Sequence, residues 1–129
     1  MTGELRPRVL LADDYAGILS ALARLLEPSC EIVGKVADGR ALLEAAERLA
    51  PDVVVLDLSM PELNGLDACQ QLKAAMPAIK IVMLTAATDD GLRRSALRMG
   101  ADAFVGKHAI ADALPGAIRT AWLGRVGKA

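Results

Sequence analysis

Two rhythms of apolar residues alternate along the chain. Val53 to Leu56 is a run of valine and leucine without polar interruption, the pattern of a strand buried on both faces, and Arg8 to Ala12 and Ile79 to Leu84 are further short apolar runs. Glu31 to Ala37 and Ala103 to Val105 also have strand character. Between these runs the apolar positions recur at helical spacing. Ile18, Leu19, Leu22, Leu25 and Leu26 predict a first helix stopped near Pro28, and Leu42, Leu43, Ala46 and Leu49 a second one reaching Pro51. Leu66, Cys69 and Leu72 predict a third that ends before Pro77. A short fourth helix over Leu92, Ala96 and Met99 is closed by Gly100. The last pattern, Leu114, Ala117, Ile118, Ala121 and Trp122, has Pro115 inside it. Proline suits a first helical turn and not a helix interior, so Asp112 is expected as the N-cap and His108 to Ala111 as a connector. Residues 1–7 are expected to form an N-terminal extension and residues 124–129 a short tail.

Five strands alternating with five helices predict an α/β fold. Its simplest form is a flavodoxin-like, doubly wound parallel sheet in the order 2-1-3-4-5, covered on both faces. The 129 residues suit one domain spanning 1–129, and no internal repeat or linker interrupts them. Lysine and arginine number 15 against 16 acids, so there is no basic surplus and direct nucleic-acid binding by this chain is not expected. The start, M-T-G-E-L-R-P-R, lacks the apolar region of a signal peptide, and no apolar run approaches the ~20 residues of a spanning helix. A cytoplasmic protein with no membrane partner is therefore expected. Cys30 and Cys69 have no metal-ligand spacing, the only histidine being His108, and read as reduced structural thiols.

The chemistry gathers at strand ends. The first run finishes in Asp13-Asp14, the third in Asp57, the fourth in Thr85 and the fifth in Gly106-Lys107. In a parallel sheet all carboxyl ends share one edge, so these residues converge. Three crowded carboxylates would raise one another's pKa unless a cation joined them, and Mg²⁺, a hard ion that keeps several waters, suits an open rim. With Mg²⁺ on Asp14 and Asp57, a phosphoryl group on Asp57 would lie between the metal, the Lys107 ammonium and the Thr85 hydroxyl. No histidine, cysteine or activated serine competes, which leaves Asp57 as the nucleophile that forms an acyl phosphate. Blander readings exist for each residue alone: Asp14 as an N-cap, Thr85 as a turn residue, Lys107 as a solvated charge. Tyr15 and Trp122 read as packing residues, His108 as an exposed loop residue, and Arg93, Arg94 and Arg98 as a solvated helix face. The joint placement of the acids, hydroxyl and lysine favours a site.

These residues also carry a family resemblance, through L-L-A-D-D, V-V-V-L-D-L-S-M-P followed by N-G-L, M-L-T-A and F-V-G-K, in that order on the predicted elements. The whole chain resembles a response-regulator receiver domain of two-component signalling. S-M-P-E-L-N-G-L, E-I-V-G-K-V-A-D-G and M-G-A-D-A-F-V-G-K are most similar to the NarL/FixJ subgroup, which has LuxR-type output. The resemblance implies that Asp57 is a phosphoacceptor served by a histidine kinase. It implies that Asp14, Asp57 and the Ser59 carbonyl bind Mg²⁺, with Asp13 acting through water. Thr85 and Lys107 would contact the phosphoryl group, and Thr85 and Phe104 would act as the switch, changing the face formed by helix four, strand five and helix five. Such a chain is not an enzyme; it assists its own phosphorylation and dephosphorylation. The chain reads either as a stand-alone receiver or, as the NarL/FixJ wording favours, as the receiver part of a longer transcription factor whose DNA-binding helix-turn-helix domain, absent from this chain, would give a transcriptional output. Pairing on phosphorylation through helices one and five or four and five is also implied.

Three positions depart from the family pattern or tune it. His108 stands where the family usually has proline, often after a cis bond, and a non-proline cis bond is costly. The Lys107 loop is therefore expected to be trans or unusually mobile. Phe104 lacks the hydroxyl of the commoner tyrosine, and Ser59 and Ala87 occupy positions that tune dephosphorylation in the family. Two alternatives remain open at this point: a pseudo-receiver that binds without using phosphate, and a Mg²⁺-dependent phosphohydrolase of the haloacid-dehalogenase kind, which would want a second aspartate where Ser59 stands.

Overall fold

Every residue of the central strand β3 (Val53–Asp57) is buried, as its unbroken apolar run requires. The computed structural model describes residues 6–58, 65–86 and 90–127. Before β3 come β1 (Arg8–Ala12), α1 (Ala16–Leu26), β2 (Glu31–Val36) and α2 (Gly39–Leu49). After it come α3 (Gly65–Ala75), β4 (Lys80–Thr85), α4 (Asp90–Arg98), β5 (Ala103–Gly106), a 3₁₀ turn over Lys107–Ala109 and α5 (Ile110–Gly127). The strands form one parallel sheet in the order β2-β1-β3-β4-β5, the predicted flavodoxin-like arrangement. Ser59, Ala87 and the start of the N-terminal extension lie outside the described residues.

Alternation along the inner strands divides the apolar residues between two cores. Leu10, Ala12, Val54, Leu56, Ile81 and Met83 point to one face, where they meet α2, α3 and Ala96 of α4. Val9, Leu11, Val53, Val55, Val82 and Leu84 point to the other, against α1 and α5. Because the side-chain period of a strand is two, a one-residue slip in any inner strand would exchange these sets, and this fixes the register.

The amino edge of the sheet is stitched by carboxylates. Asp52 Oδ2 accepts from the Arg8 amide at 2.9 Å, while the Arg8 guanidinium donates to the Leu49 and Ala50 carbonyls. Asp102 Oδ2 accepts from the Ile81 amide at 2.8 Å and pairs with Lys73 at 2.9 Å. Helix ends follow their local chemistry. Asp38 caps α2 by accepting from the Ala41 amide at 2.7 Å, and Gly100, at φ +114°, provides the left-handed residue after α4.

α5 departs from expectation at both ends. It begins at Ile110, directly after the 3₁₀ turn, so Asp112 lies inside its first turn rather than capping it. It continues to Gly127, so residues 124–127 are helical rather than tail. Pro115 is accommodated within the helix. Its missing N–H would have served the carbonyl of Ala111, an exposed residue, so water can take that bond. Burial of Leu114 and Ile118, 0% and 1% exposed, holds the helix against the sheet. At roughly 1.5–3 kcal/mol each, this offsets a proline penalty of about 3 kcal/mol. Among the described residues, no helix is long and apolar enough to cross a membrane.

Candidate functional site

The carboxyl edge of the sheet carries the residues singled out from the sequence. Asp57 is the last residue of β3, Asp13 follows β1 and donates its amide to the Val36 carbonyl, and Thr85 closes β4. All three are nearly inaccessible, at 3%, 0% and 4% exposure. Asp14 is exposed beside them. Lys107 opens the 3₁₀ turn after β5, where Gly106 pairs with Thr85 in the sheet.

One carboxylate oxygen from each of Asp13, Asp14 and Asp57 lies within 4.8 Å of the others. Lys107 Nζ approaches Asp57 Oδ1 at 3.1 Å and Asp13 Oδ2 at 3.4 Å. Burial alone would push the lysine toward its neutral form. The hydrogen bond to Asp57, with the charges of Asp57 and Asp13, outweighs that effect and raises its pKa above the ordinary lysine value. Lys107 is therefore a cation throughout the neutral range.

The Lys107 ammonium is shared between Asp13 and Asp57. Asp13 Oδ1 accepts from the Tyr15 amide at 3.0 Å, while the buried Asp13 Oδ2 has the Lys107 ammonium as its ionic partner at 3.4 Å. Buried carboxylates are costly unless cations serve them, and a second cation beside the shared ammonium would lower that cost. The set of two buried acids and one exposed acid fits a hard divalent ion that retains water on its open side. The donor set therefore suits Mg²⁺.

Asp14 does not cap α1. That position belongs to Tyr15, whose side chain makes no capping hydrogen bond. Tyr15 is not the packing residue expected either, being 65% exposed with its ring lying over Gly17. Phe104 pairs with Met83 in the sheet and packs, partly buried, against the α2–α3 core. His108 is exposed, and its imidazole covers Gly106, where a Cβ would come within 2.5 Å of the ring. There is no cis peptide among the described residues, so the Lys107–His108 bond is trans. The arginines of α4, Arg93, Arg94 and Arg98, form an exposed face. Cys69 is pushed up to about 11 by burial, with Lys73 opposing, and burial also raises Cys30, so both thiols stay neutral.

A residue whose role the sequence reading did not assign stands behind Asp57. Gly65 is buried at the start of α3 and donates to the Leu58 carbonyl at 2.9 Å. A Cβ there would meet the Leu58 Cα at 2.6 Å and the Asp57 carbonyl oxygen at 2.8 Å. Asn64-Gly65 signals a turn and cap, but the close backbone approach has no signature in sequence.

Known proteins resemble this chain in sequence and in fold. A family profile described as the response regulator receiver domain matches residues 9–119. The protein-glutamate methylesterase/protein-glutamine glutaminase of Treponema denticola is 36% identical over 78% of this chain and 28% of its own length. The transcriptional regulatory protein LnrK of Bacillus subtilis is 30% identical over 88% of this chain and 52% of its own. The chain thus spans about half or less of these relatives. The signal receiver domain of the putative response regulator NarL from Mycobacterium tuberculosis superposes with a TM-score of 0.87 at 26% identity, covering 92% of this chain and 98% of that one.

Proposed function

Because the chain belongs to the response regulator receiver domain family, we propose that it is a phosphorylatable switch in which Asp57 takes a phosphoryl group from a histidine kinase. The observation that carries this reading is the meeting of three carboxylates within 4.8 Å with Lys107 Nζ 3.1 Å from Asp57. An Asp57 carboxylate oxygen attacks phosphorus and forms the new P–O bond. The donor's P–N bond breaks, and its electron pair returns to the imidazole. Asp14 and Asp57, with the Ser59 carbonyl and Asp13 through water, would hold Mg²⁺, which when bound neutralises charge on the phosphoryl oxygens. Lys107 pairs with one of those oxygens, and the Thr85 hydroxyl donates to another. Movement of Thr85 and Phe104 then alters the α4–β5–α5 face.

The output is transcriptional on this reading, supported by the name of the LnrK relative and by the NarL/FixJ wording of the sequence. Phosphorylation-dependent pairing of two copies would accompany it. The receiver itself turns over no substrate; in the methylesterase relative, the matched segment is only 28% of the protein.

The test is intact-mass measurement after incubation with a small acyl-phosphate donor. With Mg²⁺ the chain should gain one phosphoryl group, and the gain should vanish in chelator and in Asp57→Asn. Labelling that persists in that variant would place the acceptor elsewhere. No labelling of the native chain under any divalent ion would favour a pseudo-receiver.

A further inference from the structure

A second cavity opens at the amino edge of the sheet, away from Asp57. Its volume is about 380 Å³, within the ~300–1,000 Å³ range typical of small-molecule sites. It lies between the segment ahead of β1, the turn after α1 and one side of α5. Pro28, Pro115 and the Trp122 indole supply flat apolar walls, and Cys30, 4% exposed, closes the floor.

Among the described residues the charge around this cavity is one-sided: Arg6 and Arg119 both line it, and no acidic side chain does. Arg6 is anchored by donating to the Glu27 carbonyl at 3.0 Å, a neutral acceptor, and it has no acidic partner among the described residues. Arg119 makes neither a hydrogen bond nor an ion pair among the described residues, whereas Lys73, Lys80 and Lys107 each face an acid. A guanidinium fork matches a carboxylate or sulfonate in two-point geometry and also stacks on aromatic faces. An indole and proline rings favour a planar body in the same space.

We propose that this cavity binds a small planar anion, an aromatic carboxylate or sulfonate, with Arg6 and Arg119 on its charge and Trp122 against its ring. The role is additional to the packing of Trp122 on the α1–α5 core. It depends on no feature of the Asp57 site.

Trp122 is the only tryptophan in the chain, so its emission reports occupancy directly. The full chain is titrated with anilinonaphthalenesulfonate, and separately with uncharged phenylnaphthylamine, which has a similar aromatic body. Energy transfer from Trp122 to the sulfonate should saturate at one equivalent, and the uncharged probe should bind at least about tenfold more weakly. Arg119→Gln and Arg6→Gln should each weaken the sulfonate about tenfold and leave the uncharged probe unchanged. Equal affinity for the two probes, transfer that does not saturate, or sulfonate binding unaffected in both arginine variants would overturn the proposal.

Discussion

Gly65 sets the position of Asp57 through what it lacks. With backbone atoms of Leu58 and Asp57 2.6–2.8 Å from where a Cβ would stand, any side chain must push β3 and α3 apart. Gly65→Ala should therefore lower the unfolding free energy in urea by about 1–3 kcal/mol, the usual range for overpacking. It should also slow labelling of Asp57. Native stability together with a native labelling rate would refute this account. Residues of this kind mark the limit of sequence reading. Asp13, Asp57, Thr85 and Lys107 could be placed because each follows an apolar run, and strand direction brings run-ends together. The demand on Gly65 arises only when two backbones approach. Tyr15 went the other way: an aromatic beside a helix start suggests packing, yet the extended cap conformation leaves it 65% exposed.

At the level of elements, α2 and α5 show why helix boundaries differ in legibility. Asp38 is a recognisable cap, and its carboxylate holds the Ala41 amide at 2.7 Å. Asp38→Ala should cost about 1 kcal/mol of stability and Asp38→Asn much less, measured by chemical unfolding; equal losses would show that the side-chain acceptor is not what matters. The start of α5 is less legible because local propensity alone places Pro115 in a first helical turn. Leu114 and Ile118 bury fully against the sheet, and this tertiary gain outweighs one missing hydrogen bond at an exposed carbonyl. The strands are the most legible elements, since β1, β3 and β4 each carry a contiguous apolar stretch whose alternating residues fill both cores.

Across the whole molecule, the two edges of the sheet use their acids differently. Asp52 and Asp102 direct theirs to backbone amides at the amino edge, while Asp13 and Asp57, both buried, share the Lys107 ammonium at the carboxyl edge beside the exposed Asp14. A ligand that binds only the folded chain stabilises it, by about 2.7 kcal/mol at a hundredfold excess over its dissociation constant. Mg²⁺ should accordingly raise the melting temperature, and chelator should reverse the rise. Asp14→Asn should blunt it. An unchanged melting curve at high Mg²⁺ would show that the acids do not share an ion.

The ammonium of Lys107 already touches Asp57, so an acyl phosphate forming there would have to wedge the pair open. The lysine begins a turn that passes without a break into an 18-residue rod roughly 27 Å long. A shove at the near end would not be absorbed by slack chain. With Leu114 and Ile118 buried against the sheet as the fulcrum, it would tilt the rod, and the displacement of Lys107 would be delivered as a lever's stroke beyond Trp122 at the opposite pole.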